Sequence, residues 1–283
     1  MPDPVLAAVV QLRSTEDVSA NLDQLEALVA RAARAGARLV CSPENTPYLG
    51  TPAGKLATAE PAGGPVERRL AALAARHGLH LLVGSLGEEP AEGEAPGRCF
   101  NTSVLFGPDG SCLARYRKLH LFDIDLPGGP RFQESAHIAP GAAVVTTPTP
   151  LGRLGLSICY DLRFPELYRA LVDEGAELLA VPSAFTAQTG KDHWHVLLRA
   201  RAVETQCWVL APAQEGRHDA AGSRQSYGHS LIVDPWGVVV AECGEGPGIA
   251  LAEIDRERVA AVRRALPVTS HRRLAGGGIG GRR

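Results

Sequence analysis

The stretch RLGLSICYDLRFPELYRALVDEGAELLAV, from Arg153 to Val181, decides how the fold is read. Arg153 to Cys159 is an apolar run of strand length. Pro165 to Glu174 follows as a helix, with proline near the first turn, where its missing N–H costs nothing, and Leu178 to Val181 returns to strand. LLAV at 178–181 is apolar on both faces, as are LLVG at 81–84 and LIV at 231–233. Strands covered by a layer on each side have that pattern. The expected class is α/β, a layered sandwich with its strands inside.

The same alternation extends in both directions. Val5 to Gln11 reads as a strand. Glu16 to Ala35 carries Leu22, Leu25, Leu28 and Val29 at helical spacing, with Gly36 where a helix would stop. Arg38 to Ser42 (strand), Pro65 to His77 (helix), His80 to Val83 (strand) and Thr102 to Phe106 (strand) continue the beat. The turn signal Pro108-Asp109-Gly110 then leads into a strand through Tyr116. Beyond the opening unit, Asp192 to Thr205 is a helix, and Cys207 to Ala211, Ser230 to Val233 and Val238 to Ala241 are strands. Asp234-Pro235-Trp236-Gly237 is the turn between the last two. No composition break marks a linker, so one domain over residues 1–274 is expected. Glu88 to Gly97 reads as a solvated loop, and 275–283 (AGGGIGGRR) as a flexible Gly/Arg-rich tail.

Lys+Arg 29 against Asp+Glu 31 gives a formal charge of −2 without a block of like charges. Nothing in that balance calls for nucleic acid or an anionic membrane, and a small-molecule substrate suits it. No run approaches 18 apolar residues, and the N-terminus has no basic segment before its apolar one, so a cytoplasmic protein is expected. The six cysteines are scattered without a C-x-x-C pair, which suggests reduced thiols rather than a zinc knuckle or disulfide framework.

Several apparent motifs fail. Gly276, Gly278 and Gly281 match G-x-G-x-x-G by letter but follow no strand and open no helix. Gly155 to Cys159 resembles a G-x-S-x-G elbow with the last glycine replaced. His193 and His195 stand two residues apart on a helix, about 200° around its axis, and so are poorly placed to share an ion. No metal and no cofactor are expected.

Three other stretches each place a reactive residue just after a strand: CSPEN at 41–45, YRKLH at 116–120 and SICYD at 157–161. Strand ends collect active sites in open α/β sheets, so Glu44, Lys118 and Cys159 are candidates to converge. Their chemistry is coherent. A thiol needs a base before it attacks a carbonyl, and Glu44 can serve, later returning the proton to a departing amine. The oxyanion can be held by the Lys118 ammonium and the N–H of Tyr160. Spacing alone leaves second readings open. A lone cysteine at a strand end is more often structural, Glu44 could cap the next segment, and Lys118 could belong to a solvated basic face with Arg115 and Arg117.

These three stretches resemble the signatures of the nitrilase (carbon-nitrogen hydrolase) superfamily: PEN at 43–45, YRKLHLFD at 116–123 and GLSICYDLRFPELYR at 155–169. The resemblance runs nearly end to end and in order. It implies a four-layer α-β-β-α sandwich, usually a homodimer packed through helices around the nucleophile segment. It also implies Glu44 as general base, Lys118 as the acid stabilising the oxyanion, Cys159 as nucleophile, and Glu134 in RFQES orienting lysine and substrate. Within the superfamily the second half looks like a branch that cleaves deaminated glutathione into 2-oxoglutarate and Cys-Gly. RKLHLFDIDLPG at 117–128 is more similar to a sister branch that releases ammonia from 2-oxoglutaramate. Either substrate has a 2-oxo acid end. Arg163 is the matching cation for that carboxylate, through two parallel hydrogen bonds, unless it pairs with Asp161 or Glu166. Thr189, on the loop before the Trp194 helix, matches a second substrate contact, and Tyr48 a pocket wall. A non-catalytic scaffold member would be expected to lack one of the three reactive residues, and all are present.

Overall fold

The computed structural model describes residues 5–125, 131–219 and 224–273; the Gly-rich segment from 275 lies outside them. In chain order the first half contains β1 (Val5–Gln11), α1 (Val18–Arg34), β2 (Leu39–Cys41), α2 (Pro52–Ala57), α3 (Pro65–His77), β3 (His80–Glu88), β4 (Cys99–Phe106) and β5 (Cys112–Arg117). The short strands β6 (Asp123–Asp125), β7 (Arg131–Gln133) and β8 (Ile138–Ala139) follow. The second half contains β9 (Thr146–Thr149), β10 (Gly152–Leu156), α4 (Pro165–Asp173), β11 (Leu178–Ala180), α5 (Ala187–Thr205) and β12 (Trp208–Ala211). It continues with β13 (Glu215–Arg217), β14 (Gln225–Tyr227), β15 (Leu231–Val233), β16 (Val239–Glu242), β17 (Gly248–Ile254) and α6 (Arg256–Ala265).

Two sheets form the middle layers. One has the order β17-β1-β2-β3-β4-β5, with β8 beside β4; the other has the order β16-β15-β12-β11-β10-β9. The central strands β1-β2-β3 and β10-β11-β12 are parallel, and the outer pairings are antiparallel except that of β8, which runs parallel to β4. Strand alternation sorts the layers. Ala8, Val10, Val40, Leu81 and Val83 pack with Leu22, Leu25 and Val29 of α1 and Leu70 and Leu73 of α3. Their neighbours Ala7, Val9, Leu39, Cys41 and Leu82 point the other way, into a cluster shared with Leu154, Leu156, Leu178 and Ala180 of the second sheet. That cluster extends to Leu167, Tyr168 and Leu171 of α4 and Trp194, Leu198 and Ala202 of α5. The architecture is therefore α-β-β-α, as expected.

Three local expectations change. The apolar run through Cys159 does not stay strand: β10 ends at Leu156, because the Ile158 N–H turns to the Asp161 carboxylate (2.8 Å) and the chain enters a 3-10 turn, Cys159–Arg163. The Trp194 helix starts at Ala187 rather than Asp192, so Thr189 lies in its first turn and not on a loop; the Thr186 hydroxyl caps it by accepting from the Thr189 N–H at 3.3 Å. Glu88 is not part of a solvated loop. It ends β3, buried, and pairs with Arg115 (3.1 Å) and Arg117 (2.6 Å).

Candidate active site

The carboxyl ends of the parallel strands β2, β10 and β11 meet between the sheets, and β5 ends at the same place. Glu44 stands three residues past β2, Lys118 directly after β5, and Cys159 three residues past β10. Glu44 is 3% exposed, Lys118 2% and Cys159 8%. The Lys118 ammonium donates to Glu44 Oε1 (2.9 Å) and to Glu134 Oε2 (2.9 Å), so two carboxylates from separate loops hold one cation. The alternative of a solvated basic face does not hold: Arg115 and Arg117 pair with Glu67, Glu88 and Glu94, and Lys118 turns inward.

Glu44 is fixed from three sides. Its Oε1 accepts from Lys118 and from Asn101 Nδ2 (2.9 Å), and its Oε2 accepts from the Ala184 N–H past β11 (3.0 Å). The Glu44 carboxylate therefore bridges both sheets and does not cap the segment that follows it. The seam there is tight. A Cβ on Gly84 would lie 2.0 Å from the Ser42 carbonyl oxygen and 2.3 Å from Pro182 Cβ, so only glycine lets these segments approach.

Cys159 sits at φ 50°, a left-handed conformation rare outside glycine, and its N–H donates to the Pro182 carbonyl (2.9 Å). Asp161, fully buried, holds this turn. Its Oδ2 accepts from Tyr116 Oη (2.6 Å) and the Ile158 N–H (2.8 Å); its Oδ1 accepts from the His120 N–H (3.0 Å) and contacts His120 Nδ1 (2.7 Å). One carboxylate thus ties the turn bearing Cys159 to the segment bearing Lys118. From the outer side, Arg201 of α5 donates twice to the Leu162 carbonyl (3.0 and 2.8 Å).

Burial, and then the neighbouring Glu44 carboxylate, push the Cys159 thiol well above its ordinary range, with Lys118 pulling the other way. The resting thiol is therefore neutral. Burial opposes a charged Lys118, but the Glu134 and Glu44 carboxylates outweigh it and hold the ammonium well above its usual range. Glu134 is partly buried, which opposes its charge, yet Lys118, Lys55 and the Phe122 N–H (2.7 Å) bring it down to about 2.

Glu44, Lys118, Glu134, Cys159, Tyr160, Tyr48, Arg163 and Thr189 all line one cavity of about 1000 Å³. Arg163 makes no ion pair with Asp161 or Glu166. Its guanidinium lies 3.2 Å from His193 Nδ1 and over the rings of Tyr160 (5.9 Å) and Phe185 (5.2 Å), and no carboxylate among the described residues pairs with it. Arg224, which donates to the Gly50 carbonyl, brings a second guanidinium to the same cavity. His193 and His195 do diverge: His193 meets Arg163, and His195 meets Glu242 at 3.0 Å. Sequence reasoning missed Asn101, Asp161, Arg201 and Arg224. An asparagine inside the apolar strand CFNTSVLF was the one available signal among them.

A two-sheet sandwich that gathers an acid, a lysine and a thiol at its inner strand ends defines a class of hydrolase acting on carbon–nitrogen bonds other than peptide bonds. Residues 6–264 match the carbon-nitrogen hydrolase family, and the chain belongs to it. It is 47% identical over 271 residues to the deaminated glutathione amidase of Synechocystis sp., covering 95% of this chain and 98% of that one. It is also 47% identical to the human protein of the same name, over 95% of this chain and 82% of that one. The mouse omega-amidase is 41% identical over 94% of both chains. Among solved structures, the C. elegans NitFhit protein aligns with a TM-score of 0.87 at 40% identity, over 96% of this chain and 66% of NitFhit. S. cerevisiae Nit3, a member of branch 10 of the nitrilase superfamily, aligns with a TM-score of 0.84 at 34% identity, over 95% of this chain and 97% of that one.

Proposed function

We propose that the protein is a thiol-dependent amidase that hydrolyses deaminated glutathione to 2-oxoglutarate and Cys-Gly through a cysteinyl acyl-enzyme. The observation that carries this reading is the Glu44–Lys118–Glu134 cluster, beside Cys159 in a cavity that also presents the Arg163 guanidinium, with which no carboxylate among the described residues pairs. Arg163 binds the 2-oxo acid carboxylate, with Thr189 and Tyr48 lining the pocket around the substrate. Glu44 takes the Cys159 thiol proton as sulfur bonds to the amide carbon. The tetrahedral oxyanion is held by Lys118 and the Tyr160 N–H, and Glu134 keeps the lysine charged and aimed. As the C–N bond breaks, Glu44 passes its proton to the leaving nitrogen. Water then attacks the thioester with Glu44 again as base, releasing 2-oxoglutarate and restoring the thiol.

The choice of leaving group is supported by the 47% identity to proteins named deaminated glutathione amidase. A cavity of about 1000 Å³ with a second guanidinium, Arg224, suits a dipeptide carrying its own carboxylate better than ammonia. The omega-amidase reading, with 2-oxoglutaramate as substrate, is favoured by the 41% identity to the mouse enzyme. Comparing kcat/KM for the two amides tests this: the dipeptide amide is expected to be preferred at least tenfold, and a preference for 2-oxoglutaramate would overturn it.

The proposal includes one domain over residues 1–274 and a homodimer packed through α4 and α5. Val196 and Val203 of α5 and Trp236 of the adjoining turn are exposed apolar side chains that such a contact would cover. Light scattering at micromolar concentration should give twice the chain mass. A cytoplasmic setting fits the six free cysteines, five of them buried, and no described helix is long and apolar enough to cross a membrane.

A further inference from the structure

We propose that His195, His229 and Glu242 form a binding site for one divalent transition-metal ion of the zinc type, separate from the catalytic cavity. The three residues come from α5, from the turn before β15 and from β16, so only the fold brings them together. One ligand atom from each lies within 4.8 Å of the others. His229 Nδ1 is 2.6 Å and His195 Nε2 is 3.0 Å from the same Glu242 oxygen, Oε1. Ligands of a tetrahedral ion with bonds near 2.0 Å sit about 3.3 Å apart, so a small outward movement of the rings admits an ion.

The ligands are held in advance. His229 has φ 58°, a left-handed backbone that few non-glycine residues adopt, and the Trp194 indole N–H pins its carbonyl at 2.8 Å. Its ring stacks on Tyr227 with centroids 4.4 Å apart, and the His195 ring stands edge-on to it at 5.5 Å. Two imidazole nitrogens and a carboxylate oxygen match zinc, cobalt, nickel or copper, and poorly match calcium or magnesium, which take oxygen ligands. The nitrogens that face Glu242, Nε2 of His195 and Nδ1 of His229, would bind the ion unprotonated, with each ring's N–H on its other nitrogen. Water completes the coordination. The ion would link α5, which also carries Thr189 and His193, to the second sheet.

The test is titration of chelator-treated full-length protein with cobalt(II), read by visible absorption, followed by displacement with zinc. One cobalt per chain is expected, with d–d bands and no sulfur-to-cobalt charge transfer. His229→Ala and Glu242→Gln should each weaken binding at least tenfold while leaving the circular dichroism spectrum intact. Zinc should raise Tm in the wild type and not in either variant. Equal affinity in wild type and variants, a thiolate charge-transfer band, or no binding at millimolar cobalt would each overturn the proposal.

Discussion

Replacing Asp161 by asparagine preserves shape and removes one acceptor from a buried carboxylate that holds the turn bearing Cys159. Each Asp161 oxygen faces one backbone N–H, that of Ile158 on Oδ2 and that of His120 on Oδ1. Whichever way an asparagine amide turns, its NH2 therefore meets a backbone donor, leaving a buried N–H without an acceptor. That costs about 1–3 kcal/mol, and the bonds that remain lose the strength a charged acceptor gave them, so the total should reach about 2–4 kcal/mol. The rate should fall as well. The turn that keeps Cys159 at φ 50° loses its tie to Tyr116 or to His120, and a reacting atom that wanders by an ångström reduces turnover by about 100-fold. Urea unfolding with a common m value measures the first effect, and kcat for the dipeptide amide the second. A stability change below about 0.5 kcal/mol together with unchanged kcat would refute this account of Asp161 as the clamp of the turn.

Other substitutions probe the remaining parts. Glu44→Gln should abolish acylation of Cys159, read by mass spectrometry after rapid quench; an acyl-enzyme at wild-type yield would remove Glu44 as the base. Arg163→Ala should raise KM about 10- to 100-fold with a smaller effect on kcat, since a charged hydrogen-bonded contact is worth about 1.5–3 kcal/mol; an unchanged KM would reject its carboxylate role. Glu134 is lowered in the fold to about 2, so it contributes stability above its unfolded value of about 4.3, and that contribution is lost as pH falls from there toward 2. Glu134→Gln should flatten this acid limb of the urea midpoint, and an unaltered slope would refute the assignment. Lys118 is raised, so its contribution is complete below about 10.4 and disappears only at more alkaline pH.

Much of this was legible from local chemistry. The bounds of α3 fall at Pro65 and His77 as read, because proline opens the helix and Gly78 at φ 58° closes it. Glu44, Lys118 and Cys159 could be singled out because each follows a strand. Other features depend on partners far away in the chain. The strand before Cys159 stops early because of Asp161, whose acceptors are used by Tyr116 and His120 some forty residues upstream. The first turn of α5, AQTG, has no apolar periodicity, so its start depended on the Thr186 cap. The antiparallel edge strand β17 and the trio His195, His229 and Glu242 exist only once distant segments are in register. Glu88 read as solvent-exposed because its neighbours are acidic and Pro-rich, and Arg115 and Arg117 reverse that.

The raised pKa of the Cys159 thiol bears on how readily the sulfur meets oxidants. Peroxides and alkylating agents react with thiolates, and the combination of burial and an adjacent carboxylate keeps Cys159 protonated. The exposed Cys112 would be spent first. In the proposed reaction the sulfur becomes an anion only as a carbonyl accepts it, so the chemistry that makes the residue useful is also what shields it from oxidative damage between turnovers.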